Sequence, residues 1–120
     1  MSTLPPMSAK RRALLPERAA VKQAAHERDA WRCQFWTFYD RAERAVRDNN
    51  GRPFDLPAVP LACSQGLEAH EVIPRSAWTA GWLELSNIVS LCPRHHAWVG
   101  DHPNAAEAIG LHARSWDRPK

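Results

Sequence analysis

The sequence predicts an α+β domain: a short strand–loop–strand–helix core, held by a staple, with helices before and after it. Three observations point there. Residues 67–73 (LEAHEVI) and 87–91 (NIVSL) are brief apolar runs of strand type, the first ended by Pro74 and the second followed by Pro93, a residue favoured in the first turn of a helix. Residues 17–29 (ERAAVKQAAHERD) are alanine-rich and free of Gly and Pro, as a helix requires. At 120 residues the chain buries only roughly 60–70% of the surface its unfolded form exposes, so a small core gains from a cross-link.

In chain order, residues 1–16 carry Pro5, Pro6, Pro16 and the run Lys10-Arg11-Arg12, and read as a mobile basic tail. Residues 17–120 read as one domain, with Pro16 just outside the first helical turn. Residues 31–36 (WRCQFW) are expected to be extended. Residues 38–49 read as a second, charged helix, with Asp40 as a cap, Glu43 and Arg47 as an i,i+4 pair, and Asn50-Gly51 as the stop. Pro53, Pro57 and Pro60 make 52–62 an extended crossing. Residues 75–86 form a loop holding Trp78, Gly81 and Trp82. A helix from Pro93 through about Val99 precedes a last one from Pro103 to Gly110. Trp78, Trp82, Trp98 and Trp116 are expected to pack the core or its loops. His102 and His112 have no evident role, a helix cap before Pro103 being the one option open to His102.

Composition narrows the class. The net charge of +3 suits a polyanionic partner without requiring one. No apolar run is long enough to span a membrane. Residues 1–9 hold prolines and no apolar export segment, so a cytoplasmic setting with reduced thiols is expected. Three cysteines, an odd number, do not suit a closed disulfide framework. Metal ligation is the better use.

Cys92-Pro93-Arg94-His95 has the spacing that turns two side chains toward one cation. With Cys33 and Cys63 it makes a Cys3His set, one of the closed tetrahedral sites that structural zinc takes. Residues 34–62 are then an excursion that leaves the site and returns; His26 in place of Cys33 is the alternative ligand.

Beyond that set lie His70-Glu71-Val72-Ile73-Pro74-Arg75-Ser76, then Asn87-Ile88-Val89-Ser90-Leu91-Cys92, then His96. This pattern resembles the HNH endonuclease family, most strongly over residues 63–102. Residues 28–33 resemble the segment leading to the family's first cysteine. Asp101-His102-Pro103, Gly110-Leu111 and Ser115-Trp116 are similar to small members from phages and actinobacteria.

The resemblance implies a ββα-metal core, phosphodiester hydrolysis in DNA, a catalytic divalent ion (Mg2+, Mn2+, Ni2+ or Zn2+), and a bacterial or phage-infected cell, with a phage terminase as an optional partner. It assigns His96 to the ion, Asn87 to bracing the loop that holds the base, and Arg75 to a phosphate contact. His70 and Glu71 divide the ligand and base roles. Chemistry leans to His70 as base, since imidazole titrates at about 6.5, and to Glu71 as ligand. The resemblance puts Glu71 in the base position and His70 in the ligand position, and sequence leaves both open. Trp36 and His95 depart from the family's paired Cys-x-x-Cys pattern, and Cys63 restores the count. A second reading, kept alive by the His-Glu pair, is a zinc-ribbon DNA-binding module without catalysis. Oligomeric state, sequence preference and strand number are not legible.

Overall fold

Two four-residue strands set the frame. In the computed structural model, which describes residues 9–48 and 56–114, β1 (Glu68–Glu71) runs antiparallel to β2 (Ile88–Leu91), pairing Glu68 with Leu91, Ala69 with Ser90, His70 with Val89 and Glu71 with Ile88. Side chains alternate across a strand, so Glu68, His70, Val89 and Leu91 share one face, and Ala69, Glu71, Ser90 and Ile88 the other. An isolated hairpin is marginal in water, and this one is covered on both sides. Every residue of β2 is buried.

Helix α2 (Leu15–Arg28) lies on the Ser90 side. His26 Nδ1 shares a 2.7 Å hydrogen bond with the Ser90 hydroxyl, and the Asp29 carboxylate accepts from the Ser90 N–H at 3.0 Å. The opposite side is the main core. There Val89 and Leu91 pack with Phe35, Trp98, Val99, Ala106, Ile109 and Leu111. They are brought in by α3 (Phe35–Asp48), α4 (Pro93–Asp101) and α5 (Pro103–Ala108). The domain is α+β, as expected.

Several boundaries differ from expectation, each for a physical reason. Part of the expected basic tail is helical: α1 (Ala9–Ala13) precedes α2, and Pro16 sits inside the first turn of α2, where its missing N–H costs nothing. Lys, Arg, Ala and Leu are good helix formers, so residues 9–15 have the propensity for it. Residues 1–8 lie outside the described residues. Residues 31–36 are not one extended run. Ala30 and Trp31 take left-handed conformations (φ +56° and +58°) that turn the chain out of α2, and α3 starts at Phe35.

Phe35 explains the early start. It is fully buried, stacks on His95 at 4.2 Å and meets Trp98 edge-on at 5.4 Å, so burial outweighs its modest helix propensity. Asp40 therefore falls inside α3 and caps nothing. Glu43 and Arg47 do pair, i to i+4. Asn50-Gly51 and Trp116 lie outside the described residues. The 75–86 loop holds 3-10 turns at Thr79–Leu83 and Leu85–Asn87. Trp82 and Trp98 are buried. His102 joins α4 to α5, its Nδ1 donating to the Trp98 carbonyl at 2.9 Å. No helix among the described residues is long and apolar enough to cross a membrane.

The loop between the strands is drawn in tightly. A Cβ at Gly81 would meet Asn87 Nδ2 at 2.7 Å and Trp78 Cε3 at 2.8 Å, both closer than atoms can pack. Gly81→Ala is expected to destabilise the protein by about 1–3 kcal/mol, as overpacking does. Urea unfolding measures it, and a variant as stable as the parent would contradict this packing.

Candidate functional site

Four ligand atoms converge from three distant parts of the chain. Cys33 arrives at the end of the turn after α2, Cys63 at the return of the 34–62 excursion, Cys92 at the end of β2, and His95 in the first turn of α4. Their ligand atoms all lie within 4.8 Å of one another, the one such group of His, Cys, Asp and Glu side chains among the described residues. His26 is not part of it; it faces Ser90 instead.

The ring orientation of His95 is decisive. Its Nε2 lies 2.7 Å from the Pro60 carbonyl. A carbonyl only accepts, so Nε2 carries the proton and Nδ1 turns a bare lone pair toward the thiols. Cys92 Sγ is 3.2 Å from that nitrogen, and Cys33 and Cys63 are each 3.6 Å away. Bonds of about 2.3 Å to sulfur and 2.0–2.1 Å to nitrogen, at tetrahedral angles, give S···N edges of roughly 3.6 Å. The group fits a structural metal ion such as zinc, and the Pro60 carbonyl is the outer partner that such imidazoles need.

Without a cation the thiols cannot all ionise. Burial pushes the Cys33 thiol up and, with its sulfur neighbours, the Cys63 thiol to about 12. Burial opposes ionisation of Cys92 as well, but N–H groups of His95 and Ser64 bring it down to about 6. A divalent ion relieves the repulsion among the other two.

A second constellation sits on the α4 face of the hairpin. The rings of His70 and His96 are 5.1 Å apart at 72°. His70 is buried, and its Nε2 donates to the Leu111 carbonyl, which leaves Nδ1 as an acceptor. Burial chiefly, with the nearby His96 and His112 adding and the Leu111 carbonyl opposing, lowers the His70 pKa to about 4. His96 is partly exposed, with Nδ1 2.8 Å from Glu68 Oε1. Two imidazoles and a carboxylate are donor types that divalent cations accept, but their ligand atoms do not converge as closely as those of the Cys3His group.

Glu71 is elsewhere. Strand alternation puts it on the α2 face, with Oε2 3.4 Å from Arg75 Nη2 and Oε1 buried without a hydrogen-bond partner. The structure thus brings His70 to His96 and Glu71 to Arg75. It does not gather all four.

Asn87 is buried and holds the loop from both ends. Its Oδ1 accepts from the Ile73 N–H at 2.8 Å, and its Nδ2 donates to the carbonyls of Ile73 and Gly81, each at 3.1 Å. Arg75 lies over the Trp82 ring, 5.0 Å from its centre.

Sequence reasoning missed Glu68, although it stands two residues from His70 and so shares its strand face. It also missed Pro60, whose role is played by a backbone carbonyl and has no residue signature. No protein-family model matches the chain, and neither a curated protein nor a solved structure does.

Metal analysis of the purified chain is expected to find one tightly held ion per chain, and Cys63→Ser to lose it and unfold. Such sites contribute about 10–16 kcal/mol in zinc-finger peptides, against a total of about 5–15 kcal/mol for a typical domain. A stable fold indifferent to chelators would contradict the metal assignment.

His70 makes a separate pH prediction. Its folded pKa is depressed, so its contribution to stability is complete above about 6.5, the unfolded value, and declines as pH falls toward about 4. Imidazole NMR titration reads this directly: a midpoint near 6.5 would show that the ring is not buried as described.

Proposed function

We propose that this chain is a metal-dependent endonuclease of the HNH type, hydrolysing phosphodiester bonds in DNA, with β1, β2 and α4 as its ββα-metal core and a structural zinc in the Cys3His group. The observation that carries the reading is the meeting of His70 and His96 across the hairpin–helix junction. The family resemblance gives the residues their roles, and the geometry supports His70, rather than Glu71, as the partner of His96 at the ion.

His70 and His96, with Glu68 beside them, are the side chains that would hold the catalytic ion. A divalent ion bound there stabilises the negative charge that builds on the phosphate and the leaving oxygen. His70 is suited to ligation because it is already neutral at physiological pH. The same depression makes it a weak base.

The resemblance gives Glu71 the base position, but its carboxylate lies on the opposite face of the hairpin from this ion site, so taking a proton from the attacking water there requires the end of β1 to turn toward His96. Glu71 leaves β1 one residue beyond His70, with one carboxylate oxygen toward Arg75 and the other without a partner. Asn87 is a positioning residue, fixing the backbone at Ile73 just after the base.

The test is nicking of supercoiled plasmid by the zinc-loaded chain with added Mn2+ or Mg2+. Glu71→Gln is expected to lower the rate about 10²-fold or more, the usual range for a general base, and His96→Ala to remove metal-dependent nicking, each with structural zinc retained. Asn87→Ala should lower both rate and stability. DNA binding by the parent without metal-dependent nicking would replace this proposal with the zinc-ribbon binding module.

A further inference from the structure

Away from the histidine pair, on the α2 side, three guanidinium groups gather over one indole. Arg11 from α1, Arg18 from α2 and Arg75 from the loop after β1 lie 5.7, 5.8 and 5.0 Å from the centre of the Trp82 ring. Arg11 and Arg18 are both remote from Arg75 and Trp82 in sequence, so the cluster is a product of the tertiary fold. Trp82 is 6% exposed and serves as the floor. Arg18 is also tied to the Trp82 carbonyl, which fixes its fork over the ring. The carboxylate of Glu71 stands among them, bonded to Arg75 at 3.4 Å and close enough to Arg18 to interact with its charge.

From this we infer that Arg11, Arg18 and Arg75 form a binding crown for phosphodiester groups of the nucleic-acid backbone, with Trp82 as its rigid base. The choice of polyanion rests on the nuclease reading; the crown itself rests on the four side chains.

Charge is the first reason. Arg18 and Arg75 share the carboxylate of Glu71. Guanidiniums placed this close repel each other. Burial is the main cause that lowers the pKa of Arg18; Glu71 raises it, and Arg75 lowers it by a smaller amount. An anion seated among the forks removes that repulsion.

Geometry is the second reason. Guanidinium forks match phosphate oxygens two at a time, and stacking on an aromatic face orders them in advance, so less entropy is lost on binding. Arg75 keeps 37% of its side chain exposed, which leaves it reachable.

The experiment measures binding of a labelled, mixed-sequence 20-base-pair duplex to the full zinc-loaded chain, with no other divalent metal, across a series of KCl concentrations. Each phosphate contact contributes about 0.9 to the slope of log affinity against log salt. Arg11→Gln, Arg18→Gln and Arg75→Gln are each expected to weaken binding severalfold and flatten the slope by about one unit. Arg75→Lys keeps the charge and should keep the slope. Arg41→Gln, on α3 with its side chain over Phe38, should change neither.

Zinc content and circular dichroism identify folded variants. The inference is overturned if the folded triple variant keeps the parental slope, or if the parent does not bind the duplex at all. Parental binding with the expected slopes but no nicking would uphold the crown and refute the hydrolysis reading alone.

Discussion

The fold depends on the closure of four ligand atoms from three remote stretches of chain. Among the described residues, the two strands are four residues long and the sheet has no third strand, so backbone pairing alone cannot hold the domain together. The Cys3His group ties the turn after α2, the end of the 34–62 excursion and the β2–α4 junction at one point. Two of its ligands, Cys92 and His95, are embedded in the apolar core, while Cys33 is half-buried and Cys63 exposed. His95 is fully buried and stacked on Phe35, with Trp36 edge-on at 5.9 Å, and Cys92 is 1% exposed. The ligand group and the core packing are therefore coupled: an ion held there would fix both, and loss of Phe35 would free the imidazole.

The excursion follows the same logic. Lengthening a loop between two fixed ends costs little, about 0.6 kcal/mol per doubling, so a helix between Cys33 and Cys63 is tolerable. Here the inserted segment also contributes. Phe35 at its start fills the core, and the carbonyls of Ala58 and Pro60 near its end accept from Trp98 Nε1 and His95 Nε2 at 2.9 and 2.7 Å. The segment thus supports both the floor of the core and the tautomer of a metal ligand.

What was legible in the sequence follows from which signals are local. Proline and glycine punctuation marked the two strands and the helices after them, because those residues act on their own backbone. The Cys3His set was legible from chemistry, since three cysteines and one spaced histidine leave few arrangements. The start of α3 was not, because burial of Phe35 against His95, sixty positions away, decides it. The helical segment before α2 was masked by prolines that read as extended chain. Glu68 was within reach, since alternation alone puts it beside His70. The gathering of Arg11 and Arg18 on Trp82 was not, because arginines on a helix look like an ordinary solvated face until the facing element is known.

The division between His70 and Glu71 is a matter of register. In a strand, neighbours point to opposite faces, and a slip by one residue would exchange them. His70 would then face α2 and Glu71 would face His96. Four-residue strands are poorly protected against such a slip on their own. Three ties outside the ladder hold this one: the Asp29 carboxylate on the Ser90 N–H, the Asn87 amide on both backbone groups of Ile73, and Cys92, fixed in the ligand cluster one residue past the end of β2. One acts on each end of β2 and one on its middle. The Cys3His group and the asparagine clamp thereby act on the same variable, the pairing of β1 with β2, and through it decide which side chain stands beside His96 and which stands among the arginines.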